Sequence, residues 1–356
     1  MSSCCHQPEP EDPSCCGSKR RIDLIFWGSL IIVIAAYIGH LTAHDQLVPH
    51  PRLFSFTHGV FELMNKMWWG LLVGIAALAF LTAVPREFVA SVLGKGGSIS
   101  GLFRATGAGL LLDLCNHGIL MVGMKLYERG ASLGQVFAFL IASPWNSLSL
   151  TLILVALIGI KWTLIILILS AVVALITGFI ADRLVAAGIL PKNPNAQDLP
   201  EGFSFFPEAK ARWRATKLTR SFLTTTLLTA LRESRMIIRW ILFGAVMAAA
   251  LRALLPLEAF GHWFGPSLLG LALTFVAATI IEVCSEGSSP IAADLITRAD
   301  APGNGFAFLM AGASTDYTEI MALKETTRSW KATLALPLLT SPQILLIAWI
   351  LNQTNV

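Results

Sequence analysis

Charged residues are scarce in this chain, and that scarcity argues against a soluble enzyme. Only 13% of its 356 residues are Asp, Glu, Lys or Arg, whereas 55% are hydrophobic. The sequence contains no Walker motif, dinucleotide-binding fingerprint or nucleophile elbow, so ATP-driven pumping by this chain alone is not indicated. Its net charge of +4 comes largely from loops, which gives no support to a nucleic-acid partner. We expect no cofactor and no enzymatic activity.

Long apolar runs dominate the sequence. A helix needs about 20 mostly apolar residues to cross the roughly 30 Å hydrocarbon core of a bilayer. Clear candidates are 23–42, 66–84, 163–184, 236–255 and 332–351, and longer, more broken apolar stretches lie at 101–127, 131–159, 266–297 and 301–323. The sequence therefore predicts an all-α polytopic membrane protein.

Basic residues place the beginning of the chain in the cytoplasm. Lys19, Arg20 and Arg21 directly precede the first apolar run, and such clusters stay on the cytoplasmic side. Because no small-residue cleavage site follows that run, it is read as a retained transmembrane helix rather than a signal peptide. We expect a multi-pass protein with a cytoplasmic N-terminus.

Two stretches of the chain are similar to one another. Residues 113–118 (DLCNHG) and 282–287 (EVCSEG) share the order acid, apolar, cysteine, two polar residues, glycine. At the same offset Gly134 matches Gly303, and the letters FAFL follow three residues after each glycine. The sequence thus predicts an internal repeat with one cysteine cluster in each unit.

The distribution of basic residues favours opposite orientations for the two units. The turn after the 66–84 helix is basic, whereas its counterpart at 256–266 has no Lys or Arg. Conversely, the loop after 301–323 is basic, whereas its counterpart near residue 160 has a single Lys. Such alternation is the signature of the inverted repeats of secondary transporters, whose site lies at the membrane midplane.

Inversion also constrains how the cysteine clusters cross the membrane. Three crossings per unit are obtained if each cluster is the tip of a re-entrant or broken-helix hairpin, which is tolerated where it lines a cavity. If both clusters crossed fully, the units would have the same orientation. The charge pattern favours hairpins.

The predicted segments are a disordered Cys-rich cytoplasmic tail at 1–22, an extra N-terminal transmembrane helix and loop at 23–59, membrane repeat 1 at 60–184, a basic cytoplasmic linker at 185–235 and membrane repeat 2 at 236–356.

The two membrane-depth cysteines, Cys115 and Cys284, are the strongest candidates for substrate contact. A buried free cysteine is often only a small apolar side chain, and that reading stays open. Two thiols at matched positions beside an acid and a glycine favour binding of a soft electrophile. The further candidate substrate-binding residues are Asn116, Gly118, Ser285, Gly287 and Asn146, the last beside Pro144 in a broken apolar stretch.

Carboxylates inside apolar sequence are the candidates for proton coupling. They are Asp113, Glu282, Glu286 and Asp316. Intramembrane acids are costly and usually face a cavity, where burial favours the protonated form. The alternative is that they pair with nearby basic residues or cap broken helices. Asp113 and Glu282 occupy matched positions in the repeat and are preferred.

The N-terminal tail contains two cysteine pairs. Cys4, Cys5, Cys15 and Cys16 lie in sequence rich in Pro, Glu and Ser, and vicinal thiolates suit soft metals and metalloids. They are candidate metal ligands that would capture a soft ion before transport. The alternative is a tail without any role in transport.

The motifs resemble those of the ArsP-type permeases. The similarity rests on 115–118, the glycine at Gly134, residues 138–144 (AFLIASP) and residues 307–312 (AFLMAG), and extends over about 60–350. Members are predicted permeases of bacterial inner membranes, some of which export trivalent organoarsenicals. The resemblance implies an inner-membrane secondary permease that exports a thiophilic solute. One departure is the acidic Glu286 in the second cluster, which would favour cations or protons over an anionic substrate.

Two other functions stay open. The substrate could instead be a soft metal ion or a sulfur-containing anion. A membrane thiol oxidoreductase that cycles Cys115 and Cys284 through a disulfide is a third possibility, against which the lack of a CxxC motif argues. The expected partners are a small-molecule substrate and the lipid bilayer, and the sequence leaves the oligomeric state open.

Overall fold

The structure is a computed structural model, and every regular element in its described residues is helical. It describes residues 23–43, 48–84, 86–112, 116–142, 148–196, 220–254, 263–281 and 285–354, together with Pro207 and Lys210. The all-α expectation is therefore confirmed for this part of the chain.

Groups of short helices are separated by long helices along the sequence. The helices are α1 (Leu24–Thr42), α2 (Pro51–Ala83), α3 (Arg86–Leu93), α4 (Ile99–Leu111), α5 (Asn116–Glu128), α6 (Leu133–Ala142), α7 (Leu148–Ala186), α8 (Arg220–Leu254), α9 (Leu268–Ile281), α10 (Ser285–Thr297), α11 (Pro302–Ser314), α12 (Tyr317–Thr327) and α13 (Trp330–Gln353). Helix α8 thus begins inside the segment that the sequence predicts as the basic linker.

Local sequence signals account for several helix starts. The side chains of Asp23, Ser98 and Ser329 accept hydrogen bonds from backbone N–H groups in the first turns of α1, α4 and α13. Such caps satisfy amide groups that the helix leaves without an internal partner. Pro51 and Pro302 open α2 and α11, where the missing N–H of proline costs nothing.

Among the residues that the structure describes, three helices are long and apolar enough to cross a bilayer: Leu24–Thr42, Thr151–Ala186 and Trp330–Gln353. The outer face of α7 is an exposed aliphatic stripe that includes Ile160, Leu164, Ile168 and Ile176. An exposed apolar surface of this extent suits hydrocarbon rather than water. The fold is that of a membrane protein.

The helices repeat along the chain with one constant spacing. In the first half they begin at 51, 99, 116, 133 and 148, and in the second half at 220, 268, 285, 302 and 317, so each pair is separated by 169 residues. The spacing also relates Gly159 and Arg328, which both have a positive φ, at 78° and 54°. Gly159 divides α7 into two helical parts, as Arg328 separates α12 from α13. The repeated sequence motifs therefore lie in repeated helices.

The two long helices that begin the repeats, α2 and α8, pack extensively on each other. Val60 in the first third of α2 lies in one apolar cluster with Leu242 and Ala249 in the second half of α8. This pairing of an early part of α2 with a late part of α8 is the arrangement of antiparallel helices. Helix α1 packs against both, and its Val33 and Ala36 belong to the same cluster.

Candidate functional site

In the first repeat, the two helices that flank the Cys115 segment run in opposite directions beside α6. A methyl group built at Gly101 would lie 2.7 Å from the Gln135 Nε2 atom, and one at Gly109 would lie 2.6 Å from the Phe139 carbonyl oxygen. Helix α4 therefore runs parallel to α6. Helix α5 runs antiparallel to α6, because a short connection joins them and Gly123 in α5 faces Leu140 near the end of α6. The chain thus enters the Cys115 segment beside the end of α6.

The second repeat has the same arrangement around the Cys284 segment. The Asn304 Nδ2 atom donates to Thr274 Oγ1 at 3.2 Å, and the hydroxyl groups of Thr279 and Thr315 lie 2.7 Å apart, so α9 and α11 run in parallel. Gly305 in α11 packs against Ile296 near the end of α10. Helices α9 and α10 are therefore antiparallel, and the end of α9 lies beside the end of α11.

A polar side chain from a long helix holds the beginning of the inner helix in each repeat. The Gly134 N–H of α6 donates to Asp182 Oδ1 of α7 at 3.0 Å, and the Gly303 N–H of α11 donates to Asn352 Oδ1 of α13 at 2.8 Å. Both glycines permit this close approach. A methyl group at Gly303 would lie 1.8 Å from the Ala348 carbonyl oxygen. The predicted match of Gly134 with Gly303 thus corresponds to a matched helix contact.

A second matched contact involves the next residue of each inner helix. The Gln135 side-chain amide donates to the carbonyl groups of Leu93 and Gly94 at 3.0 and 3.2 Å. In the second repeat the Asn304 amide donates to the carbonyl groups of Phe264 and Gly265, each at 2.9 Å. These buried amides donate hydrogen bonds to the carbonyl groups that precede α4 and α9, and so fix the position at which each of these helices begins.

The second inner helix ends in a buried polar break. Between α11 and α12 lie Thr315 and Asp316, which are 7% and 3% exposed, and Glu319 in the first turn of α12 is 3% exposed. Asp316 caps α12 by accepting a hydrogen bond from the Thr318 N–H at 2.9 Å. The break therefore brings two carboxyl groups, hydroxyl groups and two helix ends together inside the bundle. Ends of discontinuous helices are common substrate or ion sites in transporters.

Several predicted site residues lie outside the described residues. They are Asp113, Cys115, Asn146, Glu282, Cys284 and the tail cysteines Cys4, Cys5, Cys15 and Cys16. Their roles stay predictions. Within the parts of the chain that the structure describes, no group of three or more His, Cys, Asp or Glu side chains could hold a metal ion.

The remaining predicted residues begin the second helix of each hairpin. Asn116 is the first residue of α5, and Ser285, Glu286 and Gly287 form the first turn of α10. Gly118 lies in α5 and packs against α2, since a methyl group at Gly74 would lie 2.9 Å from its Cα atom. These residues therefore lie in the first turn of the second helix of each antiparallel pair.

Sequence reasoning missed the side chains that hold the inner helices. Asp182 and Asn352 are 48 and 49 residues from the glycines that they bind, and their letters differ. The residues Gln135 and Asn304 also differ in type, although both have a side-chain amide. A comparison of the halves by hydrogen-bonding chemistry, at the offset of the matched glycines, would have found the second pair.

Antiparallel helix pairs, an inner helix that ends in a buried polar break and long helices with exposed apolar faces are features of a polytopic membrane protein. A family model described as a predicted permease, ArsP_1, matches residues 54–352. The chain therefore belongs to this permease family, as its motifs predict. No curated protein and no solved structure shows significant similarity to it. Membership implies a membrane-embedded transporter of a small molecule, and a transporter rather than an enzyme.

Proposed function

We propose that this permease exports a thiophilic small solute, a trivalent organoarsenical, across the inner membrane in exchange for protons. The observation that supports it most is the pair of antiparallel helix hairpins. In the sequence one cysteine lies between the two helices of each pair, and the first helix of each pair ends beside the end of an inner helix. Thiols suit soft electrophiles such as trivalent arsenic.

Proton coupling is assigned to the carboxyl groups around the turning segments. Asp113 and Glu282 precede the two cysteines, Glu286 follows the second, and Asp316 lies at the buried break after α11. Release of a proton to one side and solute to the other would couple the two movements.

Alternating access would come from movement of one repeat against the other. The antiparallel pairing of α2 with α8 supports opposite orientations of the repeats, because these helices begin equivalent units. With the N-terminus in the cytoplasm, the site would lie near the midplane and open alternately to each side. The two hairpins would then be re-entrant, and the tail cysteines would capture the solute on the cytoplasmic side.

Transport by thiol variants tests the proposal. Everted membrane vesicles containing wild type, Cys115→Ser or Cys284→Ser are assayed for uptake of methylarsenite driven by an imposed pH gradient. Each variant should lose at least about tenfold in uptake rate, because a hydroxyl group is a poor ligand for a soft electrophile. Ser234→Ala is the matched control, since this buried hydroxyl group bonds only within its own helix, to the Leu231 carbonyl group.

Full uptake by both cysteine variants would remove the thiols from the mechanism. Wild-type vesicles that take up a divalent soft metal or a sulfur-containing anion, but no methylarsenite, would change the substrate and leave the permease intact. A disulfide between Cys115 and Cys284 that forms and breaks during turnover, detected by thiol trapping, would instead support the oxidoreductase alternative.

A further inference from the structure

One guanidinium group joins three helices on the side of the bundle where α1 begins. Arg239 of α8 lies 3.2 Å from the carboxylate of Asp23, the residue that caps α1. The same guanidinium group makes an ion pair with Glu325, near the end of α12. The Trp240 indole N–H donates to the same Glu325 oxygen at 3.2 Å. Arg239 is thus shared between two carboxylates on two different helices.

The charged groups of this cluster are largely buried. The side chains of Arg239, Asp23 and Glu325 are 20%, 24% and 28% exposed. Removal of one partner from a buried ion pair is costly because it leaves a charge without compensation. A cation with two partners can lose one of them and remain paired.

The two carboxylates belong to elements with different roles. Glu325 lies on the helix whose cap, Asp316, is at the buried polar break. Asp23 belongs to α1, which lies outside the residues matched by the family model, 54–352. The added helix therefore supplies one of the two anions that hold the cation near the end of α12.

We infer that Arg239 is a latch for α12 and that Asp23 makes the latch reversible. In the closed arrangement Arg239 binds both carboxylates and holds the end of α12 against α8. When α12 moves away, Glu325 leaves for water while Asp23 keeps the guanidinium group paired. The added helix α1 thereby lowers the cost of opening. These three residues act as positioning residues, since they hold the helix that begins at Asp316.

This inference rests on the proposed alternating access but not on the identity of the substrate. It predicts opposite effects for the two carboxylates. Asp23→Asn leaves the pair of Arg239 with Glu325 intact in the closed state. In the open state, however, Arg239 then has no carboxylate partner, so α12 opens less often. Glu325→Gln removes the closed pair and leaves the open state unchanged, so α12 opens more often. Asparagine caps helices about as well as aspartate, so α1 should persist in the first variant.

Hydrogen exchange of the full-length protein in lipid nanodiscs measures the opening directly. Peptides that cover 317–327 should exchange about tenfold more slowly in Asp23→Asn and about tenfold faster in Glu325→Gln than in wild type. In the double variant the guanidinium group lacks a carboxylate in both states, and exchange should return toward the wild-type rate. Asp294→Asn is the control: its pair with Arg298 is exposed, at 60% and 81%, and its loss should change nothing in α12.

Several results would overturn the latch. Exchange in Asp23→Asn that equals or exceeds the wild-type rate would show that α1 does not support opening. Unchanged exchange in Glu325→Gln would show that the pair does not hold α12. Because no substrate is present in this measurement, loss of the thiol role in transport would leave its outcome unaffected. Equally, Cys115→Ser should slow uptake by at least about tenfold without altering exchange of α12.

Discussion

Substitution of Gly134 by alanine tests the central structural inference, that α6 and α7 touch through their backbones. A Cβ atom at this position would lie 2.2 Å from the Gly178 carbonyl oxygen and 2.4 Å from Asp182 Cγ. Non-bonded carbon atoms normally approach to about 3.5–4.0 Å. The obstruction on one side is backbone, so the helices would have to separate by about 1 Å.

The expected cost follows from that separation. Insertion of a methylene-sized group into a well-packed core costs about 1–3 kcal/mol, and an obstruction by backbone belongs at the upper end of that range. The hydrogen bond from the Gly134 N–H to Asp182 would also lengthen, which adds about 1 kcal/mol. We expect Gly134→Ala to destabilise the protein by about 3–4 kcal/mol and to impair transport.

Gly107 provides the opposite expectation for the same substitution. It lies in the middle of α4, and a Cβ atom there would have nothing within 4 Å. Alanine at an unobstructed helix position is better than glycine by about 0.5–1 kcal/mol. Thermal unfolding in nanodiscs is followed by the fraction of protein that stays monodisperse. The unfolding midpoint of Gly107→Ala should lie above that of the wild type, and the midpoint of Gly134→Ala should lie well below it. Equal midpoints for the two variants would refute the close contact of α6 with α7.

Substitutions at three further positions test the matched contacts and the break. Asp182→Ala should destabilise the protein by about 2–4 kcal/mol, since it leaves the N–H groups of Gly97 and Gly134 without their acceptor. Asp182→Asn should cost less, because the Asn352 side chain accepts the equivalent hydrogen bond in the second repeat. Thermal unfolding midpoints compare the two variants. Asn304→Leu should cost about 1–3 kcal/mol by the same measurement, because two carbonyl groups lose their donor. Asp316→Asn should keep the cap of α12 and the thermal unfolding midpoint of the protein, but should uncouple uptake from the pH gradient in vesicles. Undiminished coupling would exclude this carboxyl group from proton coupling.

The sequence predicts those parts of the fold that depend on short patterns. Runs of apolar letters locate most of the membrane helices, and the matched glycines locate the inner helices. The beginning of α2 at Pro51 is less visible, because polar residues such as Thr57 and His58 dilute the apolar pattern there. In the structure Thr57 bonds to carbonyl groups of its own helix, which removes the cost of its polarity.

Long-range polar contacts are the part that the sequence does not reveal. Arg239 and Asp23 are 216 residues apart, and nothing in either local pattern indicates their pairing. The distribution of basic residues along the sequence assigns each such residue to one side of the membrane, but it does not identify the residue with which it pairs. Their partners follow only from the packing of α1 beside α8. The break at Asp316 is different, because polar letters within an apolar stretch signal it directly.

The two repeats share a scaffold but not its chemistry, and this difference bears on how transport would be driven. At the spacing of 169 residues, Asp316 and Glu319 correspond to Ser147 and Leu150, so the acidic break belongs to the second repeat alone. The latch at Glu325 likewise acts on α12, the helix that follows this break. If the repeats move as equivalent bodies, a matched scaffold makes the two end states similar in energy, because each repeat can adopt the conformation of the other. Unmatched carboxyl groups and an added helix would then bias that balance, and both would act on α12. Under the proposed mechanism, coupling would therefore belong on the α11–α12 side of the site, and the thiols of Cys115 and Cys284 would recognise the solute.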